Sequence, residues 1–264
     1  MRSSRHLTFV LALSAIVALP ACSSMPKTAS EEAEIKATND PFESVNRVVF
    51  DVNDFMDRLL LRPLAELYRG MIPPPLRDRI AGIVKNMNEP VVFANNLLQG
   101  ELNSAGTTLG RFAVNTTLGG AGMFEVANEF DLPKQSGDFG QTLNSWGIKS
   151  GPYLVLPLLG PSNIRDAIGL GVDSVMSPWG HIAALGGATI EDTFMISSIA
   201  ANALVRREEN IEGLDALREG SLDFYAQMRS VFRQHRAKQL GEVTTETPKF
   251  EDYDSEKATA PIVP

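Results

Sequence analysis

Hydrophobic residues recur at intervals of three and four at Phe42, Val45, Val49, Val52, Met56 and Leu59, with Glu43, Asn46, Arg47, Asp54 and Arg58 between them. This spacing lines one stripe of a helix and predicts an amphipathic helix from Pro41 to about Leu60. Asn39-Asp40-Pro41 opens it, with Asp40 as cap and Pro41 in the first turn. The stripe is expected to be buried or to face lipid, and polar positions such as Asp54 to tolerate substitution. Pro63 starts a short segment ending near Arg69, and Pro73-Pro74-Pro75 enforces a break. A helix from Leu76 to about Asn88 follows, and Glu89-Pro90 separates it from the apolar run Val91 to Leu98. Leu102, Ala105, Leu109, Phe112 and Thr116 mark another helix. Ile211, Leu214, Leu217, Leu222, Tyr225, Met228 and Phe232 predict one long C-terminal helix.

The middle of the chain breaks this rhythm. Residues 118–188 mix glycine and proline with apolar residues, as in LGGAGMF (118–124), GPYLVLPLLGPSNIRD (151–166) and MSPWGHIAALGGA (176–188). Alternation of the strand kind is nowhere sustained, so short helical pieces joined by tight apolar turns are expected. Apolar loops are costly in water; these pack, face lipid, or line a path for something greasy. Arg165, Asp166 and Asn115 are then candidates to touch a passing polar headgroup, and Leu156, Leu159 and Leu170 candidates to border the path.

The two ends differ again. Arg2 and Arg5 precede an apolar stretch from Leu7 to Leu19, which is the layout of a secretory signal. It is too short to span a hydrocarbon core of about 30 Å at about 1.5 Å per residue. Leu19-Pro20-Ala21-Cys22 resembles the lipobox of bacterial lipoproteins, in which the sulfur of Cys22, the only cysteine, receives a diacylglyceryl group and cleavage follows Ala21. The expected organisation is a signal over 1–21, a flexible tether over 22–38, a helical domain over 39–240 and a disordered acidic tail over 241–264.

Composition narrows the function. The 264 residues carry a net charge of −8, and loss of residues 1–21 removes two arginines and no acids, giving −10. That balance argues against nucleic acid, which needs a basic surface to release counterions. No cysteine remains for an internal disulfide, and past the signal no apolar run approaches 18 residues. Attachment to a membrane therefore rests on lipid at Cys22, where several acyl chains are needed for durable anchoring. His181 and His235 are the only histidines beyond the signal, and there is no Gly-x-Ser-x-Gly elbow, metal-ligand spacing or dinucleotide loop. No catalytic residue, metal or cofactor is expected.

Four stretches in series are similar to the MlaA (VacJ) family of outer-membrane lipoproteins: 39–54 (NDPFESVNRVVFDVND), 62–100, 110–127 and 139–169. The resemblance implies an all-α, ring-like bundle of short amphipathic helices with Gly/Pro-rich apolar turns, embedded in the inner leaflet of the outer membrane. It implies a non-enzymatic role, taking misplaced glycerophospholipid from the outer leaflet to a soluble periplasmic carrier, MlaC, beside a trimeric porin. Alternatives are a structural lipoprotein that braces a porin and a lipid hydrolase.

Overall fold

The computed structural model describes residues 38–242, so the signal, Cys22, nearly all of the tether and the tail from residue 243 lie outside the described residues. The chain is mostly helical. Helix α1 (Glu43–Met56) runs through a π-helical turn (Asp57–Leu61) straight into α2 (Arg62–Met71). Pro63 therefore continues a rod instead of starting a segment. Its missing N–H falls where the wide turn has already given up the regular ladder, Arg62 N–H bonding to the Asp57 carbonyl five residues back.

Helix α3 (Pro74–Leu98) also outlasts its sequence expectation, since it passes unbroken through Pro90. Pro74 at its first position needs no N–H. At Pro90 tertiary contact makes up for local chemistry: the Trp179 indole N–H donates to the Met87 carbonyl at 2.6 Å, in the turn the proline disturbs. Helix α4 (Leu102–Thr117) packs along α3, and the 118–124 loop closes over the same helix. A Cβ at Gly82 would stand 2.3 Å from the Gly122 carbonyl oxygen, so both sites need glycine for this approach.

A 3₁₀ turn (Val126–Phe130) and α5 (Phe139–Ser145) lead to β1 (Tyr153–Leu156) and β2 (Gly160–Asn163). These form an antiparallel hairpin, with Tyr153 opposite Asn163 and Leu156 opposite Gly160. Residues 153–163 were expected to be helical pieces; the strand pair is legitimate there because its inner edge is completed by helix side chains. Then come α6 (Ile164–Met176), α7 (Pro178–Ala184), α8 (Ala188–Glu209), α9 (Ile211–Glu219) and α10 (Phe224–Gln239). The single C-terminal helix expected from periodicity is thus two. The break follows Gly220, and Asp223 caps α10 by accepting from the Ala226 N–H at 3.1 Å.

The apolar cores are small. One joins Phe50, Tyr153, Val155 and Tyr225, flanked by Val49, Phe224, Met228 and Phe232; another joins Ala81, Val84 and Val205. Among the described residues no helix is long and apolar enough to cross a membrane.

Candidate functional site

The polarity of the molecule is inverted. Among the described residues, more of the fully buried side chains are polar or charged than hydrophobic, while large aliphatic and aromatic residues lie outside. On α1, Val45, Val48, Val52 and Phe55 form an outward stripe, continued by Leu59 and Leu60 in the π turn and Leu64, Leu67 and Met71 on α2. Val48 is 63 % exposed and Phe55 58 %, whereas Asn46 on the opposite side is 2 % exposed. The positions read as a water-facing side, Asn46 and Asp54 among them, therefore pack inward. Asp54 holds Arg218 of α9 at 2.5 Å. Exposed apolar surface on this scale belongs against lipid or a partner.

Inside, side-chain amides replace a hydrophobic core. Asn46 donates to the Tyr153 carbonyl at 3.1 Å and to Asp40 at 2.8 Å, and accepts from the Val155 N–H at 3.0 Å. Two turns on, Asn53 donates to the Leu156 carbonyl at 2.9 Å and accepts from the Leu158 N–H at 2.8 Å. Spaced by seven, the two lie on one face of α1 and act as the missing strand beside β1. Val155 spends its N–H on Asn46, so Pro161 opposite it costs the hairpin no ladder bond. Asp40 is not a helix cap: fully buried, it accepts from Arg229 at 2.7 Å and from the Tyr225 hydroxyl, fastening the entrance of the domain to α10.

A second lattice joins α3, α5 and α6. Asn95 accepts from Thr142 and donates to Asp173, both at 2.8 Å, and Asp173 also accepts from the Phe139 N–H. Burial pushes the Asp173 carboxyl above its usual range. Asp138 caps α5 and Asn163 caps α6, and Arg236 of α10 bridges Asp138 at 2.6 and 2.7 Å to Asp166 at 2.8 Å. Burial alone would raise Asp138, but Arg236 and the N–H groups of Gln141 and Gly140 outweigh it and hold the carboxyl low. The helices approach so closely that a Cβ on Gly169 would stand 2.5 Å from the Gly140 nitrogen.

Between this lattice, the hairpin and α10 lies a cavity of about 420 Å³, walled by Tyr153, Asn163, Arg165, Arg229, Phe232 and Arg236, with Ser150, Ser230, Arg233 and Glu242 also lining it. Arg165 is 3 % exposed; its Nη1 donates to Asn144 at 2.6 Å and its Nε to Asp166 at 3.2 Å. Burial and the Asp40 charge push the Tyr153 phenol up, so it keeps its proton at neutral pH. No group of three or more His, Cys, Asp or Glu among the described residues is arranged to hold a metal.

The structure brings Arg165 and Asp166 together. Asn115 stands in another cluster, accepting from the Ala127 N–H at 2.8 Å. Leu156 is half-buried, and Leu159 (67 % exposed) and Leu170 face outward. Sequence reasoning did not single out Tyr153, Arg229 and Arg236. Their signal was legible, since Tyr225, Arg229, Phe232 and Arg236 follow a 4-3-4 spacing that sets two arginines within the packed stripe of α10.

Comparison with known proteins agrees with this architecture. A family model, MlaA lipoprotein, matches residues 38–239. The intermembrane phospholipid transport system lipoprotein MlaA of Haemophilus influenzae is 31 % identical over 234 residues, covering 86 % of this chain and 88 % of that one. A Rickettsia felis protein is 34 % identical over 200 residues, 76 % of each chain. A chain solved in work on the structural basis for maintenance of bacterial outer membrane lipid asymmetry superposes with a TM-score of 0.65 at 28 % identity, covering 76 % of this chain and 98 % of that one. By sequence and by fold, this chain belongs to the MlaA lipoprotein family.

Proposed function

We propose that this protein is a lipid-anchored, non-enzymatic component of intermembrane phospholipid transport, seated in the inner leaflet of the outer membrane on its periplasmic side. It takes misplaced glycerophospholipid from the outer leaflet and passes it to a soluble carrier of the MlaC kind, next to a trimeric porin. The observation that carries this reading is the inverted polarity, an apolar exterior around a hydrogen-bonded polar interior. Such a body suits hydrocarbon outside, while polar groups within lower the barrier to moving a headgroup. Family membership supports the same role.

A photoreactive side chain placed singly at Leu159 or Leu170 tests it in the full-length lipidated protein in nanodiscs. Crosslinks to phospholipid at these sites, with none at Lys238 on α10, are expected. Cells lacking the protein should show more phospholipid in the outer leaflet, and the parent gene should reverse this. A lipid-free result in folded, membrane-bound protein would favour a bracing role instead, and release of labelled fatty acid would reveal a hydrolase.

A further inference from the structure

We infer that the cavity beside α10 is a binding site for a phosphate group, the chemistry shared by a glycerophospholipid headgroup and free phosphate. The inference deepens the transport reading and rests on it only for the source of the phosphate. At about 420 Å³ the space falls within the range of pockets that enclose small ligands, roughly 300–1,000 Å³. Four arginines, Arg165, Arg229, Arg233 and Arg236, meet on it; Arg229 is paired with Asp40 and Glu43, Arg236 with Asp138 and Asp166, and Arg165 with Asp166, while Glu242 is the carboxylate on the lining itself. Guanidinium groups present planar forks of N–H donors that match phosphate oxygens.

Two lining residues hold a donor in reserve. Arg165 Nη2 and the Tyr153 hydroxyl are both buried without a hydrogen-bond partner, although the remainder of Arg165 is held firmly by Asn144, Asp166 and the Ile148 carbonyl. A buried donor left unmet costs free energy, so its persistence points to an acceptor that arrives from outside. The phosphodiester of a lipid headgroup supplies acceptors alone, and inorganic phosphate keeps ionised oxygens of the same kind. The Tyr153 phenol can answer as a donor because it keeps its proton. Ser150 and Ser230 add hydroxyls to the wall, and the rings of Tyr153 and Phe232 offer an apolar side to a glycerol backbone.

Calorimetric titration of the full-length lipidated protein in detergent tests the site with three probes: dihexanoylphosphatidylethanolamine below its micelle concentration, inorganic phosphate, and dihexanoylglycerol. The first, or the second, should bind, and dihexanoylglycerol should not. Tighter binding of the lipid than of inorganic phosphate identifies a headgroup site; binding of inorganic phosphate alone identifies a free-phosphate site. Tyr153→Phe removes only the unpartnered hydroxyl and should weaken binding about tenfold, as expected for one hydrogen bond to a charged group. Arg165→Gln should abolish it. Because that change also disturbs bonds to Asn144 and Asp166, Arg233→Gln at the exposed rim provides a further variant, expected to weaken binding. Parent-like binding by Tyr153→Phe, equal binding of dihexanoylglycerol, or no binding of either phosphate probe would overturn the site. Those results would leave the crosslinks at Leu159 and Leu170 untouched, so the site and the transport reading fail separately.

Discussion

Replacing Asn46 with alanine should be among the most damaging single changes in the domain, although the residue is small and uncharged. Its amide meets the Tyr153 carbonyl, the Val155 N–H and Asp40 at 3.1, 3.0 and 2.8 Å. Tyr153 and Val155 are themselves buried, so water cannot replace the lost partner. Each backbone group left unsatisfied costs about 1–3 kcal/mol, or about 2–6 kcal/mol for the two. That is a large part of the roughly 5–15 kcal/mol that holds a typical domain folded. With a slope of roughly 2–3 kcal/mol per molar urea, the unfolding midpoint of the detergent-solubilised protein should fall by about 1–2 M. Hydrogen exchange read on the peptide covering residues 153–163 should show the hairpin losing protection first, because its inner edge has lost its strand. Ser44→Ala, exposed on the same helix, should leave both readouts unchanged. A midpoint shift below about 0.2 M, or an unaltered exchange rate in the hairpin, would mean that Asn46 does not complete the sheet.

Further outcomes follow from the same geometry. A polarity-sensitive dye on Val48→Cys should shift to the blue in nanodiscs and one on Lys238→Cys should not; equal spectra would contradict a lipid-facing α1. Asp173 is raised in the folded state by burial, so its ionisation favours the unfolded chain, and its contribution to stability falls as pH climbs above 3.8 through the folded value. Asp173→Asn keeps an acceptor for Phe139 and Asn95 and should flatten that fall in melting temperature as pH rises above 3.8. Asp138 has the opposite sign: held low by Arg236, it stabilises above 3.8 and that share is lost as pH drops through its folded value, so Asp138→Asn should destabilise at neutral pH and converge on the parent in acid. Trp179→Phe should cost about 1 kcal/mol in denaturant unfolding by freeing the Met87 carbonyl beside Pro90. Cys22→Ala should prevent lipidation and remove the protein from the outer-membrane fraction; parent-like fractionation would refute the lipobox reading.

The rods of this fold were legible because three-four spacing survives in any solvent. Which side of a rod points inward was not. Periodicity separates two faces of α1 but does not say whether the apolar one, Val45 to Phe55, looks at a core or at lipid. The inward face, Asn46 and Asn53, looks like solvent-exposed sequence until the hairpin is placed against it. The hairpin was hidden for a related reason: its polar partners lie about a hundred residues away on α1, so no local alternation announces it. Pro90 misled because local proline chemistry was weighed without Trp179. Arg165 and Asp166 stood out by their neighbourhood in an apolar stretch, whereas Arg229 and Arg236 are told from the other basic residues of α10 only by their spacing with Tyr225 and Phe232. The cavity exists only where the hairpin, α6 and α10 converge, and no single stretch of sequence contains it.

The π turn at Asp57–Leu61 acts as a phase correction. A regular helix advances about 100° per residue, and the outward residues step by three or four from Val45 to Leu59. Between Leu59 and Leu64 the step is five, and the extra residue is absorbed by the wider turn. Were these residues to take an ordinary ladder with none removed, the same step would advance about 500° instead of about 400°. That would rotate α2 by about 100° relative to α1. Leu64, Leu67 and Met71 would then turn away from the outer surface, and Arg69 would lose its reach to Glu208 on α8. The wide turn is therefore held by orientation: it lets the rod carry one residue beyond the regular repeat without changing which side of α2 faces out.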